Sequence, residues 1–191
     1  MINLDYQKER FANHIATFTD LGFIKVLDYE EPGSNIYRIR FIFEEDHYRL
    51  HISGDLGELT AYNFTNMVWE DFYSDFAHNP DYFEEKICAH ERDLYIYDED
   101  EARKELKKLL EDNSFEPDGI EYETPDELID DIIECFYDSC GISHEGFEIL
   151  ERAIGVEWSD VADLGKTRTG IIELYLLAFE MAYKQLEAQH E

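Results

Sequence analysis

Residues 36–63 read Ile36-Tyr-Arg-Ile-Arg-Phe-Ile-Phe-Glu-Glu-Asp-His-Tyr-Arg-Leu-His-Ile-Ser-Gly-Asp-Leu-Gly-Glu-Leu-Thr-Ala-Tyr-Asn63. Successive side chains of a strand point to opposite faces, so a period of two marks a half-buried sheet. Here Tyr37, Ile39, Phe41 and Phe43 alternate with Ile36, Arg38, Arg40 and Ile42. After the acidic turn Glu44-Glu45-Asp46, Tyr48, Leu50 and Ile52 oppose His47, Arg49 and His51. Gly54-Asp55-Leu56-Gly57 turns again, and Glu58 to Asn63 forms one more strand. Upstream, Phe23 to Tyr29 reads as a strand closed by Glu31-Pro32-Gly33-Ser34-Asn35. Four strands with short connections predict an antiparallel meander, one face on a core and the other wet.

Outward from the meander, the period lengthens to that of helices. Asn3 is a plausible N-cap, and Leu4, Phe11, Ile15 and Phe18 share a face, which predicts a helix over 3–19 ended by Gly22. Met67, Trp69, Phe72, Tyr73 and Phe76 predict an aromatic helix ending near Pro80, and 81–89 a second, shorter one. Leu94 to Tyr97 is a short strand or an ordered loop. Asp98-Glu99-Asp100-Glu101 opens a helix to about Glu111, with Lys104, Lys107 and Lys108 in its later half, a polarity the helix dipole favours. Residues 112–123 read as a linker. Thr124-Pro125-Asp126-Glu127 is a strong helix start, Ser143 begins another helix, Gly155 breaks it, and 167–189 is long and amphipathic. The predicted fold class is α+β: an N-terminal helix and an antiparallel four-stranded meander with packed helices over 1–111, followed by an all-helical part over 124–191.

The outlying number is charge. Sixteen Lys and Arg against 46 Asp and Glu give a net charge of −30. The nets are −3 over 1–53, −15 over 54–123 and −12 over 124–191. Such a chain repels nucleic acid and anionic membranes and attracts basic proteins, so direct DNA binding is not expected. Thirteen Tyr, 13 Phe and 2 Trp supply enough apolar surface for a core, which argues against disorder. Three cysteines give no disulfide framework and suit a reducing compartment. The first residues carry no apolar signal core, and no apolar run reaches the length of a membrane span. The expected location is the cytoplasm.

Three constellations could carry function. The acidic blocks Glu44–Asp46, Asp98–Glu101 and Asp126, Glu127, Asp130, Asp131 and Glu134 are each ordinary solvated surface when taken alone. Together, interleaved with Tyr and Phe, they imitate the charge density of a phosphate backbone and could fill the basic groove of a nucleic-acid-binding protein. The partner-binding candidates are Asp98, Glu99, Asp100, Glu101, Asp126, Asp130 and Asp131. Second, His47, His51, Asp55 and Glu58 could serve acid–base or metal chemistry, although a wet sheet face with cross-strand pairs to carboxylates is the plainer reading. Third, Cys88 and His90 with Cys135, Cys140 and His144 lack the tight ligand gaps of structural zinc, and Cys88 and Cys135 read as buried on helix faces. Gly165-Lys166-Thr167 lacks the first glycine of a phosphate loop, since position 160 is Asp160, and reads as a turn and helix N-cap. No cofactor and no metal are implied.

The run Tyr37-Arg38-Ile39-Arg40-Phe41, Glu45-Asp46 and Tyr48-Arg49-Leu50-His51-Ile52-Ser53-Gly54-Asp55-Leu56-Gly57-Glu58-Leu59 resembles a segment of small phage and mobile-element proteins of Gram-positive bacteria. The resemblance covers about residues 1–110 and carries no catalytic motif. The acidic size class is also similar to type II anti-CRISPR proteins, inhibitors of Cas9. That resemblance implies a cytoplasmic protein of the bacterial host cell whose partner is the positively charged nucleic-acid channel of the effector or its guide-RNA complex. The alternatives are a metal-dependent nuclease or hydrolase acting on guide RNA or a nucleotide through His47, His51, Asp55 and Glu58, and a homodimeric regulatory protein.

Overall fold

A computed structural model describes residues 2–113, 115 and 122–190. They divide into two compact units: Met1–Leu94 with Gly170–Glu191, and Tyr95–Thr169. The sequence pattern predicts a division at 112–123. The chain instead leaves the first unit after Leu94 and returns to it at Gly170, so the second unit is an insertion and the last helix belongs with the sheet. Of the expected linker, residues 114 and 116–121 lie outside the described residues.

The first unit is built on one antiparallel sheet whose six strands lie in chain order: β1 (Ile15–Asp20), β2 (Ile24–Glu30), β3 (Ile39–Glu44), β4 (Arg49–Gly54), β5 (Leu59–Tyr62) and β6 (Ile87–His90). The α+β class and the meander stand, with two strands added at the edges. β1 replaces the second half of the expected N-terminal helix, which runs only over α1 (Leu4–Arg10), capped by the Asn3 side chain accepting from the Tyr6 N–H at 3.1 Å. The helical spacing of Phe11, Ile15 and Phe18 misleads because Ile15, Thr17 and Thr19 are β-branched and stiff at χ1. They pair with β2 through Ile15↔Glu30 to Asp20↔Lys25 instead. β6 replaces the tail of the expected 81–89 helix, which is confined to α3 (Pro80–Glu84).

One face of the sheet is buried. Leu27, Tyr29, Ile39, Phe41, Phe43, Leu50, Ile52 and Ala61 pack with Phe72 of α2 (Trp69–Asp75), Phe83 of α3, and Tyr175, Phe179 and Ala182 of α8 (Ile171–His190). Phe179 is the hub, with ring centroids 4.6 Å from Phe72, 5.4 Å from Phe41 and 5.6 Å from Trp69. The edge strand β1 is closed rather than left as a template for aggregation. The Gln185 side chain of α8 accepts from the Ala16 N–H and donates to the His14 carbonyl at 3.1 Å, standing in for a neighbouring strand.

The second unit carries α4 (Glu99–Asp112), α5 (Pro125–Glu134), α6 (His144–Ile154) and α7 (Trp158–Val161). Two small pairings accompany them, β7 (Tyr95–Tyr97) with β10 (Lys166–Arg168), and β8 (Phe136–Tyr137) with β9 (Gly141–Ile142), so this part is not all-helical. The β7–β10 pair sets the entering and leaving chain side by side, as an insertion requires. The core is aliphatic: Leu106 and Leu110 of α4, Leu128, Ile129, Ile132 and Ile133 of α5, Leu150 of α6 and Val161 of α7. Helix starts follow their capping chemistry. Asp98, Thr124 and Ser143 accept from Glu101, Glu127 and Gly146 N–H groups at 2.9, 3.3 and 3.2 Å, with Pro125 at the first position of α5. Gly155, at φ 69°, takes the left-handed position that ends α6.

Candidate anionic interface

All seven acidic candidates fall in the second unit, which holds 23 Asp and Glu against 7 Lys and Arg, a net charge of −16 over 75 residues. The apolar stripe of α4 against that of α5 brings their polar flanks together. Arg103 of α4 reaches Asp130 of α5 at 2.6 Å and Glu99 of its own helix at 3.3 Å. Lys107 of α4 reaches Asp126 of α5 at 3.2 Å, and Lys104 holds Glu101 at 2.8 Å. Asp131 accepts from the Tyr122 hydroxyl at 3.0 Å. Asp98 is spent on its cap, while Asp100 is exposed in the first turn of α4 and its field acts on Lys104, whose pKa is raised chiefly by its bond to Glu101. The two acidic blocks therefore form one α4–α5 surface stitched by Arg103 and Lys107. The cations that could have neutralised it from outside are used within it.

A second acidic feature escapes the sequence. A groove of about 370 Å³ between α4 and the segment around α7 is lined by Glu105, Asp112, Asp160 and Asp163 with Lys108 as its cation. Glu105 is fixed there by accepting the Gly165 N–H at 2.7 Å. These acids lie some fifty residues apart in sequence, and only the fold juxtaposes them. The expected N-cap at Gly165-Lys166-Thr167 is instead a turn leading into β10. Gly165 has φ 73°, and an added Cβ would meet the Asp98 carbonyl oxygen at 2.7 Å.

The His/Asp candidates do not converge. His51 sits on the wet face of the sheet, its imidazole 3.3 Å from Glu44 and 3.2 Å from the Thr60 hydroxyl. His47 lies off the strand in a single 3₁₀ turn, 3.8 Å from Asp46. Asp55 accepts the Tyr37 N–H at 2.9 Å and so fixes the loop ahead of β3. Glu58 lines a separate shallow groove beside His90 and Glu91. Among the described residues, no group of three or more His, Cys, Asp or Glu side chains is placed to hold a metal ion.

The cysteines are free. Cys88 is exposed on β6 rather than buried on a helix, its thiol donating to the Thr60 carbonyl at 3.4 Å. Cys140 is exposed too, and Cys135 is half-buried at the end of α5, its thiol pKa raised first by burial and then by nearby carboxylates. Among the described residues, no helix is long and apolar enough to cross a membrane. No protein-family model, curated protein or solved structure matches this chain.

Proposed function

We propose that this protein is a stoichiometric binding protein whose second unit occupies a cationic, nucleic-acid-binding surface of another protein. The observation that carries the reading is the α4–α5 surface, where two acidic blocks adjoin and their cations are internally paired. Like charges gathered on one small body destabilise it through self-repulsion, so their concentration is better explained by an external partner than by folding. Carboxylates on rigid helices offer a positive groove the charge pattern of a nucleic acid, which speeds encounter and fixes register. The resemblance to Gram-positive phage proteins suggests a host defence effector as the partner, with Cas9 before guide loading as the first to try.

The test is binding of the full chain to guide-free and guide-loaded Cas9 at low and high salt. Affinity for the guide-free protein should fall at least about tenfold when the Debye length is cut from about 10 Å to 3 Å. Guide RNA should compete and remain intact. Replacing Asp100, Asp126 and Asp131 by Asn should weaken binding without unfolding the chain. Binding indifferent to salt and to these substitutions would refute the mimic mechanism, and degraded guide RNA would favour a nuclease.

A further inference from the structure

Of the eleven exposed large apolar side chains among the described residues, five lie at one end of the sheet of the first unit. Leu21 and Phe23 occupy the β1–β2 turn, Tyr48 the β3–β4 connection, and Tyr62 and Phe64 the end of β5. The three segments are tied together. The Glu45 N–H donates to the Phe23 carbonyl at 2.8 Å, and the Asn63 N–H to the Tyr48 carbonyl at 3.1 Å. The buried Asn63 amide bonds Asn66, which bonds Asp75 of α2, so the turn presenting Phe64 is pinned from behind. Tyr62 and Phe64 meet edge to face at 5.5 Å. This is a preorganised apolar surface, not three loose loop tips.

Leu21, Phe23 and Phe64 are 66, 70 and 77 % exposed, and Tyr48 and Tyr62 37 and 38 %. At about 150–250 Å² per aromatic side chain, the five residues together expose roughly 500 Å², within what the largest patch of a monomer shows and more than half of one partner's share of a standard interface. Acids outnumber bases around this surface: Asp20 precedes Leu21, Asp46 lies in the turn before Tyr48 and Glu70 acts on Glu45, against the exposed Arg49, which stands opposite Tyr62 in the β4–β5 register. Lys25 is consumed by Asp20 at 2.7 Å and Glu45 at 3.9 Å. A two-fold contact between copies would set this rim against its own image on chains that each carry −30. Anionic lipid is repelled for the same reason.

We propose that this end of the sheet is a docking surface for a basic amphipathic segment of another protein. Apolar side chains of the segment seat on Phe23, Tyr48 and Phe64, and its Lys and Arg residues meet Asp20, Asp46 and Glu70. The inference stands on the first unit alone and is independent of the anionic surface of the second.

The test uses the full chain and a fluorescein-labelled amphipathic helical peptide of Leu and Lys, about 18 residues long, beside a scrambled peptide of equal composition and charge but no apolar face. By anisotropy in about 150 mM NaCl, where exposed charges are largely screened, the amphipathic peptide should bind at least about tenfold more tightly than the scramble. Phe23→Ser with Phe64→Ser should abolish that preference and leave binding of the scramble unchanged. Both positions are well exposed, so the far-ultraviolet circular dichroism should not change. A double variant that keeps the preference would overturn the proposal. So would a dimer by light scattering that the double variant converts to monomer, because the surface would then belong to a second copy.

Discussion

The two units solve the same problem with different materials. The first, 116 residues with a net charge of −14, buries an aromatic core in which Phe11, Phe41, Phe43, Phe72, Phe76, Phe83 and Phe179 are at most 1 % exposed. The second, 75 residues with a net charge of −16, has an aliphatic core in which, among the described residues, no aromatic side chain is fully buried, Phe115, Tyr122, Phe136 and Phe147 packing only at its margin. The smaller body thus carries more charge on less apolar burial, although stability scales with buried area. Charge kept against that gradient is what the proposed anionic interface of the second unit would use, while the proposed apolar docking surface lies on the first.

Each unit holds one of the two tryptophans, Trp69 in the first and Trp158 in the second, so single-tryptophan chains report the units separately. The largest expected effect is Phe72→Ala. Its ring touches Phe43, Phe76, Phe83 and Phe179 at 4.6–5.5 Å, and truncation should cost about 3–5 kcal/mol. Leu106→Ala, the corresponding change in α4, should cost about 2–5 kcal/mol. In urea titrations, the first change should move the Trp69 transition more than the Trp158 transition, and the second the reverse. Coincident movement of both signals in both variants would mean that the units unfold as one.

Gly54→Ala comes next. Gly54 has φ 140°, and a Cβ there would lie 2.1 Å from the Arg38 carbonyl oxygen, so β3 and β4 must part. The expected loss is about 2–3 kcal/mol, read from the Trp69 transition. His14 follows. It is buried against Phe11 and Tyr29, with Nε2 3.2 Å from the Tyr37 carbonyl and Nδ1 without a partner, and burial holds its pKa below the ordinary 6.5. The unfolded chain therefore takes up a proton that the folded chain resists. This contribution is neutral above pH 6.5 and destabilises as pH falls below that value, by at most about 1.4 kcal/mol per pH unit. His14→Leu should remove that slope from the Trp69 transition and leave the Trp158 transition untouched.

Much of the first unit is legible in the sequence for one reason: its sheet buries a single face, so Ile39, Phe41, Phe43, Leu50 and Ile52 must alternate with polar neighbours. β6 has no such signature. Cys88, Ala89 and His90 are exposed, and the strand is defined only by what β5 offers it, across a register shift at Thr60 and Ala61. The return at Gly170 is equally silent, because a long apolar helix looks the same whichever core receives Tyr175 and Phe179. In the second unit each acidic block announces itself, as do the caps at Asp98, Thr124 and Ser143. The facing of Asp130 on Arg103 and the grouping of Glu105 and Asp112 with Asp160 and Asp163 depend on helix packing between distant segments, and local pattern does not carry that.

Salt sharpens the comparison further. Screening relieves repulsion most where like charges are densest, so added NaCl should raise the Trp158 transition more than the Trp69 transition. An equal response would mean that the internal pairs of Arg103 and Lys107 already neutralise the α4–α5 surface.

The smallest effect tests a carboxylate in the unit where charge is least concentrated. Glu45 is mostly buried beside the start of α2, accepts the Trp69 N–H at 3.0 Å, and has a pKa raised first by burial and then by the neighbouring Glu70. A carboxyl group that holds its proton more tightly when folded destabilises the fold once pH exceeds its unfolded value of 4.5. Glu45→Gln keeps an acceptor for the Trp69 N–H and removes the repulsion by Glu70, at the loss of a long 3.9 Å pair with Lys25. At pH 7 the variant should be more stable by about 0.5 kcal/mol in the Trp69 transition, and the difference should vanish as pH falls toward 4, where the native side chain also becomes neutral. A variant less stable at pH 7 would show that Lys25 outweighs Glu70, and that the acidic rim of the first unit contributes to its folding rather than standing ready for a partner.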